Sequence, residues 1–204
     1  MHKISKLLIL FVGFGLSGWS QDVPKAEIFT GYSFVNAGFP FSPDPAAGNT
    51  TGFLNGWDLT ATVNATRWLG IAGDFGGYYG HPSKSELFKP ANCVLCTGNV
   101  TATMHNMYTF TGGPQLSVRT EEITVFAHVL VGGARVRADF NGVAGSATAS
   151  NTNFTVIVGG GFDLGFAHHL AFRVQPDYFR TKILDRGENN FRLSAGVVWK
   201  LGSR

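Results

Sequence analysis

Charge is scarce in this chain: Asp, Glu, Lys and Arg make up only 14% of its 204 residues, well under the roughly 25% usual in soluble domains. Stretches rich in Ala, Glu, Lys and Leu, which long helices need, are also missing. Beyond residue 20 no run of 18 apolar residues occurs, which excludes a helical membrane protein. Cysteine is limited to Cys93 and Cys96. Glycine and aromatics are abundant instead, at 27 residues and 13%, and so apolar a composition excludes disorder. These absences and excesses together point to an all-β protein.

The first twenty residues read as a separate unit. Met1 to Lys6 is basic, Leu7 to Leu16 is apolar and Gly18-Trp19-Ser20 supplies small residues around a cleavage point, the pattern of a secretory signal. An apolar run of ten residues is too short to cross a bilayer, since a helix needs about 20. We therefore assign 1–20 to a signal peptide and 21–204 to one domain. Of 16 Lys and Arg, Lys3 and Lys6 leave with the signal, so 14 bases face 13 acids. That balance holds no basic cluster able to track phosphates, and nucleic acid is excluded as a partner.

Alternation dominates the remainder. From Gly56 to Thr66 the even positions are Asp58, Thr60, Thr62 and Asn64, while the odd ones are Trp57, Leu59, Ala61, Val63 and Ala65. Phe191 to Leu201 repeats the pattern, and a period of two means a strand. Six further segments follow it less cleanly: 27–36, 69–79, 106–118, 124–135, 154–164 and 170–180. Eight strands result, joined alternately by long and short connections. The long ones, near 37–55, 80–105, 136–153 and 181–190, are rich in Gly, Ser, Thr, Asn and Pro and are expected to be loops. An eight-stranded antiparallel up-and-down barrel places all of them at one end. A soluble lipocalin-like barrel would turn its apolar faces inward, whereas a transmembrane β-barrel turns them out. Tyr32, Phe34, Trp57, Tyr108, Phe110, Phe154, Tyr178, Phe191 and Trp199 fall on apolar faces, many near strand ends. That is the placement of membrane girdles, and it favours the transmembrane form.

The segments Glu27 to Phe34, Gly112 to Gln115, Gly159 to Asp163, Arg173 to Tyr178 and Arg192 to Leu201, taken in order after a signal, resemble the OmpA-like eight-stranded barrels of the bacterial outer membrane. The last strand, with Ser194, Gly196, Trp199 and Leu201, is similar to the signal read by the barrel assembly machinery; here Gly202, Ser203 and Arg204 follow it. The resemblance implies a Gram-negative type outer membrane, periplasmic termini, and outer-membrane lipids and that machinery as partners.

Several side chains are candidates for chemistry. The inward face is expected to carry Glu27, Asp58, Asp74, Gln115, His128, Asp163, Arg173, Gln175, Asp177, Arg192 and Lys200, either as a plug of mutually satisfied polar groups or as an ion path. Eight strands leave no open pore of porin size, so any permeation would be slow. First-to-last strand closure is expected to bring Glu27 and Lys200 together in the lumen near the periplasmic rim, interacting directly or through one neighbour. Cys93 and Cys96 read as a local disulfide in an oxidising envelope, with a Cys2His2 metal set that includes His81 and His105, or a redox-active CxxC pair, as the alternatives. No cofactor is expected. No nucleophile and base stand in an arrangement that would make the protein an enzyme. The reading is a structural or surface-recognition, adhesin-like protein whose loops meet an extracellular ligand; the alternatives are a soluble barrel carrying an apolar ligand and a lipid-modifying enzyme.

Overall fold

A computed structural model describes residues 23–40, 49–81, 83–88, 98–142, 145–183 and 186–203. Its strands are β1 (Pro24–Pro40), β2 (Asn49–Asn64), β3 (Leu69–Tyr79), β4 (Ser83–Phe88), β5 (Gly98–Arg119), β6 (Ile123–Gly142), β7 (Gly145–Ala167), β8 (Leu170–Ile183) and β9 (Arg186–Ser203). Each pairs antiparallel with its neighbours, β1 meets β9, and β3 meets β5. Because β3 and β4 follow one another along β5, eight staves close an all-antiparallel transmembrane β-barrel. Closure leaves no free sheet edge.

The alternation in the sequence is the alternation of the wall. On β2, Asp58, Thr60, Thr62 and Asn64 are buried inside while Trp57, Leu59 and Val63 are exposed outside. The outer belt continues through Ile71, Phe75, Val125, Val129, Val131, Val158 and Leu193, all exposed. An apolar surface of that extent is stable only under lipid. Aromatic side chains mark its margins: Trp68, Phe166 and Trp199 at the short-turn end, and Phe53, Tyr79, Tyr108, Phe154 and Tyr178 toward the other. Two of the short turns are tied locally. Ala65 and Thr66 both donate their N–H to the Leu69 carbonyl, at 2.9 and 3.0 Å, and the Thr120 hydroxyl donates to the Ile123 carbonyl at 2.8 Å.

Much of the expected loop sequence is strand. The β6–β7 ladder runs on to Gly142↔Gly145, and β8–β9 to Ile183↔Arg186. Likewise β1–β2 continues to Pro40↔Asn49. Once the wall leaves the apolar layer the outward face becomes polar while the inward face turns apolar, as in Arg135, Val136 and Arg137, so the alternation reverses its phase and reads as an end of the strand. Backbone pairing needs no apolar face and simply continues. The 80–105 connection also contains β4, set off from β3 by a break opposite the irregularity between Met104 and Asn106.

Gly196 shows why the last strand needs a glycine. It lies directly opposite Gly31, and a Cβ there would strike the Thr30 carbonyl and the Gly31 backbone. The first and last strands close the barrel at this close approach.

Candidate functional site

Inward parity gathers the polar residues of distant segments into two clusters. The deeper one centres on Arg192 of β9, which is fully buried. Its Nε and Nη2 donate to Asp177 Oδ2 at 2.8 and 2.6 Å; Nη1 and Nη2 donate to the two Asp74 oxygens at 3.0 and 2.9 Å; Nη1 also donates to the Tyr78 hydroxyl at 2.8 Å. Asp58 stands 3.5 Å from Nη1 and accepts from the Ser194 hydroxyl at 2.7 Å, while Ser33 and Ser194 share a hydrogen bond of 2.6 Å. On the far side of Asp177, His128 Nε2 lies 2.9 Å from Oδ1 and the Gln175 amide donates to Oδ2 at 2.9 Å. One guanidinium thus serves three carboxylates.

The second cluster lies toward the short-turn end. Arg173 grips Asp163 with two parallel bonds of 2.6 and 2.8 Å and reaches Glu27 at 3.3 Å. The geometry is the fork-to-carboxylate fit at which arginine excels. Its guanidinium also lies over the Phe126 ring, 4.2 Å from the centroid, and 5.4 Å from that of Phe29. Arg119 completes the set, donating to Glu27 Oε1 at 2.7 Å and to the Arg67 carbonyl at 2.6 Å. Two acids meet two bases here. Gln115, also buried, accepts from the Thr62 hydroxyl at 3.3 Å and donates to the Ser117 hydroxyl at 3.4 Å.

Two expectations need correction. Glu27 does face Lys200 in the β1–β9 register, yet among the described residues Lys200 is not its ionic partner. Arg119 and Arg173 reach the carboxylate instead, at 2.7 and 3.3 Å. Arg119 escaped the sequence reading because it borders a short turn; its parity with Gln115 and Ser117 is the signal that places it inside. Nor is the interior polar throughout. Toward the hairpin end it is filled by Val35, Leu54, Met104, Met107, Leu130, Val136, Ile157 and Phe179, a buried apolar core within the barrel. Thr155 and Thr181 lie buried at the same end and bond to each other at 3.2 Å.

Outside the lumen little chemistry is assembled. Trp199 and Leu201 point outward, 41% and 46% exposed, while Ser194 points in. His81 and His105 stack edge to face with centroids 5.1 Å apart, and His105 Nε2 lies 3.0 Å from Asp139. Among the described residues no group of three or more His, Cys, Asp or Glu is placed to hold a metal ion. Cys93 and Cys96 lie outside the described residues.

No known protein family and no characterised protein matches the chain by sequence. Solved structures do match in shape. Ail, the attachment invasion locus protein of Yersinia pestis, superposes with a TM-score of 0.54 at 19% identity over 87% of this chain and 99% of that one. A second Ail structure, in complex with the heparin analogue sucrose octasulfate, gives 0.52 at 16% identity, covering 87% of this chain and 99% of that one. Neisserial surface protein A gives 0.53 at 13% identity, over 87% and 97% of the two chains. The fold is that of the eight-stranded outer-membrane β-barrels.

Proposed function

We propose that the protein is an outer-membrane barrel of Gram-negative type that anchors a recognition surface, with its termini and short turns in the periplasm and its long hairpins outside. The observation that carries this reading is the filled interior. Arg192, Arg173, Tyr78, Leu54, Met107 and Ile157 are all buried within it, and a barrel of eight strands has room for little else. Transport is at most slow, and the surface left for a partner is the hairpin end. Attachment is the activity in the name of Ail, and the shared fold makes an adhesin-like role the natural assignment. Ser194, Gly196, Trp199 and Leu201 serve recognition by the barrel assembly machinery, lipids cover the belt, and Cys93 and Cys96 form a disulfide among the hairpins. Catalysis is not part of the reading.

Cell fractionation followed by protease treatment of intact cells is the test. We expect recovery only in detergent extracts, cleavage within 41–48 or 89–97, and protection of the short turns. Adherence of cells to a host or abiotic surface should then fall when those hairpins are shortened. Recovery in the soluble fraction would favour a ligand-carrying barrel, and altered outer-membrane lipid on expression would favour an enzyme.

A further inference from the structure

The outward face of β6 changes character within two residues. Val125, Ala127, Val129 and Val131 are exposed and apolar, Gly133 follows, and then come Arg135 and Arg137, both exposed. Gly133 permits the change, because a Cβ there would meet the Phe110 ring at 2.6 Å; the ring lies across the glycine and forms the top of the apolar belt. Tyr108 and Thr152 flank Arg135 in the ladder, and Asn106 and Ser150 flank Arg137. None of these four neighbours is acidic. The next outward residue, Asp139, is already engaged by His105 at 3.0 Å and by the Thr148 hydroxyl at 2.8 Å. Among the described residues neither arginine makes an ion pair or hydrogen bond. Across the barrel, the positions around the Phe34–Phe53 ring pair carry Asn36 and Asn55 instead of cations.

We propose that Arg135 and Arg137 form a binding site for the phosphate of a glycolipid headgroup in the leaflet at the hairpin end. Side chains two apart on one strand share a face and are about 7 Å apart along it, a spacing that two guanidinium forks can close upon one phosphate. Their position selects the lipid. They stand in the first rows above the belt, on the wall and not at the hairpin tips, where a headgroup lies and a soluble polyanion has no apolar anchor. Tyr108, exposed level with Arg135, and Phe154, exposed one outward row below opposite Gly133, offer the acyl chains an aromatic surface. The inference rests on the orientation proposed above.

Native mass spectrometry of the full chain, folded in detergent micelles and checked by heat-modifiable migration, tests it. The probes are bisphosphorylated lipid A, the same lipid dephosphorylated, and inositol hexakisphosphate. R135Q/R137Q should weaken binding of the phosphorylated lipid about thirtyfold, each charge accounting for about fivefold, and should leave the dephosphorylated lipid unaffected. Equal binding by the wild type and that variant would overturn the proposal. So would an equal loss in K25Q/R67Q at the opposite end, or displacement of lipid A by inositol hexakisphosphate at the same concentration. Protease treatment of intact cells reads orientation separately, so a folded, correctly oriented barrel that fails to bind refutes the site alone.

Discussion

Glu27 and Arg119 are joined across the lumen at 2.7 Å, although the ladder sets Glu27 against Lys200. Arg119 carries a second bond to the Arg67 carbonyl and a third to Asn64, so it ties the β2–β3 turn to the first strand. Other interior pairs follow the ladder, since Asp163 faces Arg173 and Asp177 faces Arg192 in the register, so Glu27 is held by partners from outside its own ladder position.

Replacing Arg119 with alanine should therefore destabilise the barrel by about 2 kcal/mol, the worth of hydrogen bonds to a charged group. Lys200→Ala should stay within about 0.5 kcal/mol, as surface changes do. Urea unfolding in liposomes, followed by tryptophan fluorescence, separates the two; a larger loss for Lys200 would contradict the cross-lumen pairing.

Arg192 is expected to be the least replaceable residue of the interior. Its removal strands Asp74 and Asp177 in a buried site, a loss on the order of 3–5 kcal/mol. Asp58→Asn should cost under about 1 kcal/mol, because Asp58 is 3.5 Å from the guanidinium and its neutralisation relieves a surplus of carboxylates. Adding Asp74→Asn and Asp177→Asn to Arg192→Met should recover part of the loss in a mutant cycle.

Position on the wall should outweigh residue type. Phe179, 1% exposed inside the barrel, should lose about 3 kcal/mol on truncation to alanine, as a packed core residue does. Phe154, 62% exposed outside, should lose far less. Val129→Arg, at mid-belt, should cost about 2–4 kcal/mol in lipid. Folding yields into vesicles report all three.

For Cys93 and Cys96 we expect one intramolecular disulfide with little bearing on stability, since closing so short a loop restrains few unfolded conformations. Intact-mass analysis after alkylation without reductant should detect no free thiol. Two modified thiols would defeat the assignment.

The sequence by itself determined the wall. Alternation from Trp57 to Asn64 and from Phe191 to Leu201 decides which side chains face lipid, because parity on a strand is a local property. Short turns near 65–68 and 168–169 were legible for the same reason. Beyond Gly133 on β6 the alternation reverses phase, with Arg135 and Arg137 outward and Val136 inward, and this reversal hides the continuation of a strand that the ladder hydrogen bonds carry onward. Only the tertiary structure decided which inward groups meet. Strand stagger and barrel closure choose Arg119 for Glu27, bring Asp58, Asp74 and Asp177 from three strands to one arginine, and lay an apolar core from Val35 to Phe179 over them. Asp177 meets Arg192 within one hairpin, but Glu27 with Arg119 and Asp74 with Arg192 join residues far apart along the chain, and no local pattern encodes the distance between them.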